Sequence, residues 1–104
     1  MEPGRISIAD ALFTKAQQRV LALLYGKPDS SFFLNEIVRQ ANMGRGAIKR
    51  ELDKLTLASL TTMTPQGNQN HYQANRGNPV FDELRGIVVK TFGIADVLKE
   101  ALNA

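Results

Sequence analysis

The sequence predicts a mainly α-helical domain with one small β-hairpin. Three observations carry this. Apolar residues recur at helical spacing along several stretches. Residues that start and stop helices stand at the ends of those stretches. One region, "LTTMT" and "HYQAN" around the turn-forming "PQGNQN", is β-branched and polar instead.

The elements follow in order. Ser7 with Asp10 caps a short turn of helix in "SIADALF". Thr14 and Gln17 have capping-box spacing, in which each side chain satisfies the other residue's free backbone amide. Val20, Leu21, Leu23 and Leu24 then form an apolar stripe, and Gly26 with Pro28 ends that helix. "PDSS" is a turn, and "FFL" is a very short strand or a core plug. "NEIVRQA" is a short helix with Ile37, Val38 and Ala41 facing inward, broken at Asn42 to Gly44. "RGAIKRELDKLTLASL" runs as a longer helix, with Ile48, Leu52 and Leu55 on one buried stripe. Met43, in the break, plugs the two helices together. After Ser59 comes the hairpin, with Gly67-Asn68 near its tip and a loop of about four to six residues. "RGNP" breaks the chain, and Pro79 fits the first turn of the next helix. In "VFDELRGIVVKTFG", Phe81, Leu84, Val88 and Phe92 share one side. "IADVLKEALNA" supplies a last short helix.

This is the element order of a winged helix-turn-helix. At 104 residues the chain makes one domain over 1–104. The helix-turn-helix covers about 35–58, the wing about 60–75 and the C-terminal helices about 79–102.

Composition narrows the function. There is no Cys, which excludes disulfides and thiolate metal sites. No apolar run approaches membrane-spanning length, and "MEPGRISIAD" has no secretory-signal pattern, so a cytoplasmic protein is expected. The net charge of +3 is mild, but its distribution is uneven. Between Ile37 and Phe81 six bases (Arg39, Arg45, Lys49, Arg50, Lys54 and Arg76) face only Glu51 and Asp53. From Leu55 to Phe81 there is no acid. A basic middle suggests a surface for a polyanion, although an ordinary solvated face reads the same on charge alone.

The stretch "NMGRGAIKR" fits the first reading. The second helix of a helix-turn-helix enters the major groove, and its N-terminal residues meet bases and phosphates. Gly44 allows a tight turn. Gly46 has no side chain to hold the backbone away from DNA, and the free amides of the helix end favour a phosphate. Arg45 and Lys49 lie four apart, away from Ile48 and Leu52. Arg45 could pair with a guanine edge or grip a phosphate, and Lys49 suits either role. Arg50 and Lys54 lie further round, toward phosphate or solvent. In the wing, Asn68, Gln69 and Asn70 are candidates for the minor groove, and Arg76 for phosphate. His71 is the only histidine and lacks partners at ligand spacing, so it reads as a strand residue. Tyr72 and Phe81 read as packing residues. No cofactor, metal or enzymatic activity is expected, because "GRG" fits neither Rossmann nor P-loop spacing.

"SFFLNEIVRQANMGRGAIKRELDKL", "QGNQNHYQAN" and "NPVFDELRGIVVKTFG" together resemble an ArsR-like winged helix-turn-helix. The kind they are most similar to is often fused N-terminal to a minimal nucleotidyltransferase domain in bacteria and archaea. The resemblance spans roughly residues 10–102. It implies DNA binding through Arg45, Gly46, Lys49 and Arg50, with the wing at Gly67 to His71. The sequence departs from that pattern at four points. Gln69 and Asn70 replace the usual wing arginines. Ser59 stands where a helix-ending Gly is common. Leu57 occupies a site that is often charged. The nucleotidyltransferase part, with its Gly-Ser start and paired aspartates, is absent, so its activity does not carry over. The metal sensing of ArsR proteins through cysteines does not carry over either.

The expected function is therefore sequence-specific binding of double-stranded DNA by a prokaryotic transcriptional regulator. A homodimer through helix 1 and the C-terminal helices would read two half-sites. The alternative is a protein-interaction module that tethers a separately encoded nucleotidyltransferase or another partner.

Overall fold

The structure, a computed structural model, describes residues 6–93. The helix expected from "IADVLKEALNA" lies outside the described residues. Helix α1 (Ile8–Leu12) begins where the Ser7 hydroxyl accepts from the Asp10 amide at 3.0 Å. Helix α2 (Lys15–Gly26) begins with the complete capping box: the Gln17 amide donates to Thr14 Oγ1 at 3.2 Å, and the Thr14 amide to Gln17 Oε1 at 2.8 Å. Both starts need only side chains three residues apart, which is why the sequence shows them.

Strand β1 (Phe32–Phe33) leads into helix α3 (Leu34–Ala41), and α4 (Arg45–Leu57) follows after a short turn. The turn is tightened at a different residue from the one expected. Asn42 takes the left-handed conformation, with φ 55° and ψ 48°, while Gly44 is ordinarily extended at φ −60°. The short polar side chain of Asn makes this region accessible to it. Arg19 fastens the turn from α2, because its Nη1 donates to the carbonyls of Ala41 at 3.0 Å and Asn42 at 3.2 Å. The guanidinium thus satisfies unpaired carbonyls at the negative end of α3. Met43 is half-buried and packs on the core, as expected.

Helix α4 ends in a Schellman motif. Leu60 N donates to Leu55 O at 2.9 Å and Ser59 N to Thr56 O at 3.0 Å, around Ser59 at φ 64°. A side chain at that φ is strained, and glycine is not. Ser59→Gly is therefore expected to stabilise the domain by about 0.5–1 kcal/mol, after allowance for glycine's extra freedom in the unfolded chain. A higher urea midpoint at unchanged slope would show it, and a lower midpoint would refute the assignment.

The sheet has the order β1-β3-β2, formed with β2 (Thr61–Gln66) and β3 (Gln69–Ala74). "FFL" is thus partly a strand, with Phe32 opposite Tyr72 and Phe33 opposite His71. The wing loop is only Gly67-Asn68, shorter than the sequence suggested. Gly67 alone carries a positive φ, 62°, which is the pattern of a type II′ turn. The discrepancy comes from Pro65, which looks like a loop residue yet lies inside β2 opposite Asn70. Hydrogen-bonded pairs alternate along an antiparallel ladder. Asn75 N donates to Leu60 O at 3.1 Å, so in this register Pro65 and Asn70 form a non-hydrogen-bonded pair. Proline therefore costs the hairpin no ladder bond, and its missing N–H blunts the open edge of β2.

Helix α5 (Phe81–Val88) continues as a π-helical turn, Val89–Gly93. Pro79 sits in the turn before α5 rather than in its first turn, and Asn78 Oδ1 accepts from the Val80 amide at 2.8 Å. Phe81 and Val88 are buried, and Leu84 and Phe92 pack at the core margin, as the periodicity predicts. The core joins Val20, Leu24 and Tyr25 of α2 to Ile37 of α3, Ile48 and Leu52 of α4, and Tyr72 of β3.

Candidate nucleic-acid interface

The inward stripe of α4 decides what faces out. Ile48 and Leu52 are fully buried and Leu55 nearly so. Arg45, Gly46, Arg50 and Asp53 are consequently exposed on the opposite side, with Lys49 partly so. The structure therefore places all four α4 candidates on the solvent side of the helix.

Their electrical states differ. Arg45 Nη1 donates to Asn35 Oδ1 on the first turn of α3, a neutral partner that steers the guanidinium and leaves its charge intact. Lys49 is different, because its Nζ donates to both Asp53 carboxylate oxygens, at 2.7 and 2.8 Å. That hydrogen bonding, opposed by partial desolvation, raises the Lys49 ammonium above the ordinary lysine value. Arg50 is exposed and forms no ion pair among the described residues. Lys54 lies 3.5 Å from Glu51 Oε2, a buried oxygen with no hydrogen-bond partner. Around Gly46 a Cβ would meet nothing within 4 Å. The fold itself does not require glycine there, so what Gly46 offers is access to the backbone from outside.

The wing candidates separate. Asn68 and Gln69 are exposed at the hairpin tip. Asn70 is half-buried and lines a groove of about 320 Å³ with Lys49, Asp53, Thr56, Leu57, Met63 and Tyr72. This groove joins the helix to the wing. Arg76 is placed apart from them, beyond the far end of β3. Its Nη2 and Nε both lie 2.9 Å from Asp29 Oδ1, and its guanidinium sits 5.1 Å from the Phe81 ring centroid. The structure thus pairs Arg76 with Asp29 at the hairpin base. His71 is a strand residue against Phe33, at 5.9 Å between ring centroids, and Tyr72 is core.

Two participants escaped the sequence reading. Asn35 lies ten positions before Arg45 and shows no periodic signal, since only the crossing of α3 and α4 brings them together. Asp53 stands four residues after Lys49, a spacing that pairs opposite charges on a helix and was readable in principle. Among the described residues no His, Cys, Asp or Glu group suits a metal ion, and no helix is long and apolar enough to cross a membrane.

No protein family and no curated protein matches the chain by sequence. Solved structures do match it. AF1382 from Archaeoglobus fulgidus is similar with a TM-score of 0.62 at 13% identity, over 77% of this chain and 91% of its own. The MarR family transcriptional regulator SPO1453 from Silicibacter pomeroyi has a TM-score of 0.56 at 16% identity, over 92% of this chain and 79% of its own. Bordetella bronchiseptica BpsR, whose DNA binding is regulated by 6-hydroxynicotinic acid, has a TM-score of 0.55 at 16% identity, over 93% and 80%. At these identities the likeness is one of fold, and it agrees with the element order and sheet topology: the chain is a winged helix-turn-helix.

Proposed function

We propose that this chain binds double-stranded DNA as a transcriptional regulator, with α4 in the major groove and the β2–β3 wing beside it. The observation that carries the reading is the outer face of α4. It follows a tight turn, begins with an approachable backbone at Gly46, and exposes Arg45 and Arg50 with their charge unneutralised by any described acid. Asn68, Gln69 and Asn70 supply a neutral wing for minor-groove edges or the DNA backbone. Lys49 adds recognition rather than net charge, and Arg76 is a weaker phosphate candidate than the sequence implied. The ArsR-like character and a cytoplasmic location belong to this reading. So does a homodimer through the first helices and the C-terminal segment, which the exposed Ile8 (66%) and Leu12 (58%) support.

One observation favours the second reading, a protein-interaction module: Leu57 is 88% exposed beside Met63 on the groove. Fluorescence anisotropy on a random duplex across a salt series separates the two. The wild type should bind with a steep log-log salt slope. Arg45→Ala/Arg50→Ala should lose about tenfold or more in affinity at low salt, with a slope shallower by about one to two units. A folded wild type that binds no duplex at low salt would refute DNA binding and leave the groove as the functional surface.

A further inference from the structure

We infer that the Lys49–Asp53 pair reads a G·C base pair, with Asp53 as a specificity-determining residue; this rests on the DNA-binding reading above. Asp53 stands on the solvent face of α4, and Lys49 neutralises the repulsion that its carboxylate would otherwise exert on phosphates. The two side chains lie one helical turn apart, 42% and 53% exposed, with Lys49 Nζ 2.7 Å from Asp53 Oδ1.

The pair keeps hydrogen-bonding capacity after joining. An ammonium has three donors, and a carboxylate has about four lone-pair sites. Bound to each other, Lys49 and Asp53 still present a free donor beside a free acceptor. The major-groove edge of a G·C pair presents the complement, guanine N7 and O6 as acceptors beside the cytosine N4 donor. The ion pair can therefore dock intact, so neither charge is left unpaired when water is expelled. In an A·T pair the donor and acceptor at the centre of that edge are exchanged. In the reversed T·A pair their order matches, but the thymine methyl stands where guanine N7 would accept a second bond. Lys49 lies four residues beyond Arg45, about 6 Å along the helix and so roughly two base-pair steps away. Because the pair is neutral, it adds discrimination without adding non-specific attraction, which Arg45 and Arg50 supply.

The test is selection of bound sequences from a randomised duplex pool by the wild type, Asp53→Ala and Asp53→Asn. Salt-series anisotropy on a random duplex accompanies it. The wild type should enrich G·C at one position. Asp53→Ala should lose that enrichment alone, while binding random duplex about three- to tenfold tighter with a slope steeper by about one, since Lys49 is released. Asp53→Asn should move the same position toward A·T, because an amide both donates to and accepts from adenine. A helix-surface ion pair with no base contact would change none of these selections. Unchanged selection in both variants, or no G·C position in the wild-type selection, would overturn the inference while leaving DNA binding intact. A wild type that binds no duplex would overturn both.

Discussion

Leu52→Ala is expected to lower the stability of the domain by about 2–5 kcal/mol. Leu52 is fully buried, between Ile48 and Leu55 on the stripe that holds α4 to the core. Truncation removes buried methyl groups and leaves a cavity that the packed neighbours only partly fill. A small domain has about 5–15 kcal/mol in all, so this one change removes a large fraction of it. The midpoint of thermal unfolding should fall by roughly 8–40 °C, taking about 4–8 °C per kcal/mol for a chain of this size. Leu57→Ala, five residues further on and on the outer side of the helix, is the contrast. Its side chain is 88% exposed, and the change should stay within about 0.5 kcal/mol of the wild type. Circular-dichroism melts of both variants check this, and equal losses would mean that the inward face of α4 is misassigned. The consequence for function is indirect. Leu52 lies on the buried side of α4, so under the proposed DNA binding its loss should reduce affinity in proportion to the unfolded fraction and leave the salt slope alone.

The second large effect lies at the joint between helices and wing. The Tyr25 hydroxyl donates to Leu60 O at 2.6 Å and accepts from Asn78 Nδ2 at 3.0 Å, with its ring 5.4 Å from that of Phe81. One phenol oxygen thus fastens α2 to the entry of β2 and to the turn before α5. Tyr25→Phe keeps the ring and strips both bonds, although Leu60 O still accepts from Asn75 N and Asn78 Nδ2 still donates to Asn75 O. The expected cost is about 1–3 kcal/mol, the net worth of two hydrogen bonds at about 0.5–1.5 kcal/mol each. The same residue gives a signature in pH. Burial raises the Tyr25 hydroxyl above its ordinary value of 10.0, against the Asn78 hydrogen bond, which lowers it. A raised value in the folded state means the neutral phenol is the form that fits. Its contribution is complete below pH 10.0 and is lost as pH rises from there through the higher folded value. The stability gap between wild type and Tyr25→Phe should therefore narrow above about pH 10. Urea melts at pH 8 and at pH 10.5 measure the gap. One that stays constant or widens would show that this hydroxyl is not the buried, neutral donor described.

The unpaired positive charge in the middle of the chain is smaller than its sequence implies, for a reason that recurs. Arg76 meets Asp29 from 47 positions away, Lys49 meets Asp53 within one helix, and Lys54 meets Glu51. Six cations across the middle of the chain thereby become three with no carboxylate partner among the described residues: Arg39, Arg45 and Arg50. On the proposed DNA-binding reading, that pattern makes α4 a surface that separates attraction from base discrimination rather than a general phosphate gripper.

Local chemistry alone determined much of this protein. The caps at Ser7 and Thr14, the inward stripe Ile48, Leu52 and Leu55, and the order of helices before and after the hairpin all depend on residues within one turn of each other. Their spacing carries the information, and with it the winged helix-turn-helix and the outward placement of Arg45, Gly46, Lys49 and Arg50. Tertiary structure decided the rest. Strand pairing placed Pro65 inside β2 and shortened the wing loop, because the alternation of ladder bonds belongs to two strands and not to one. Tight helix crossing, fastened by Arg19, put the left-handed residue at Asn42 instead of Gly44. Contacts between distant elements gave Arg45 to Asn35 and took Arg76 away to Asp29. A charged side chain carries the same formal charge wherever it lies, but its field depends on the nearest opposite charge, and in a folded chain that neighbour can come from any point in the sequence.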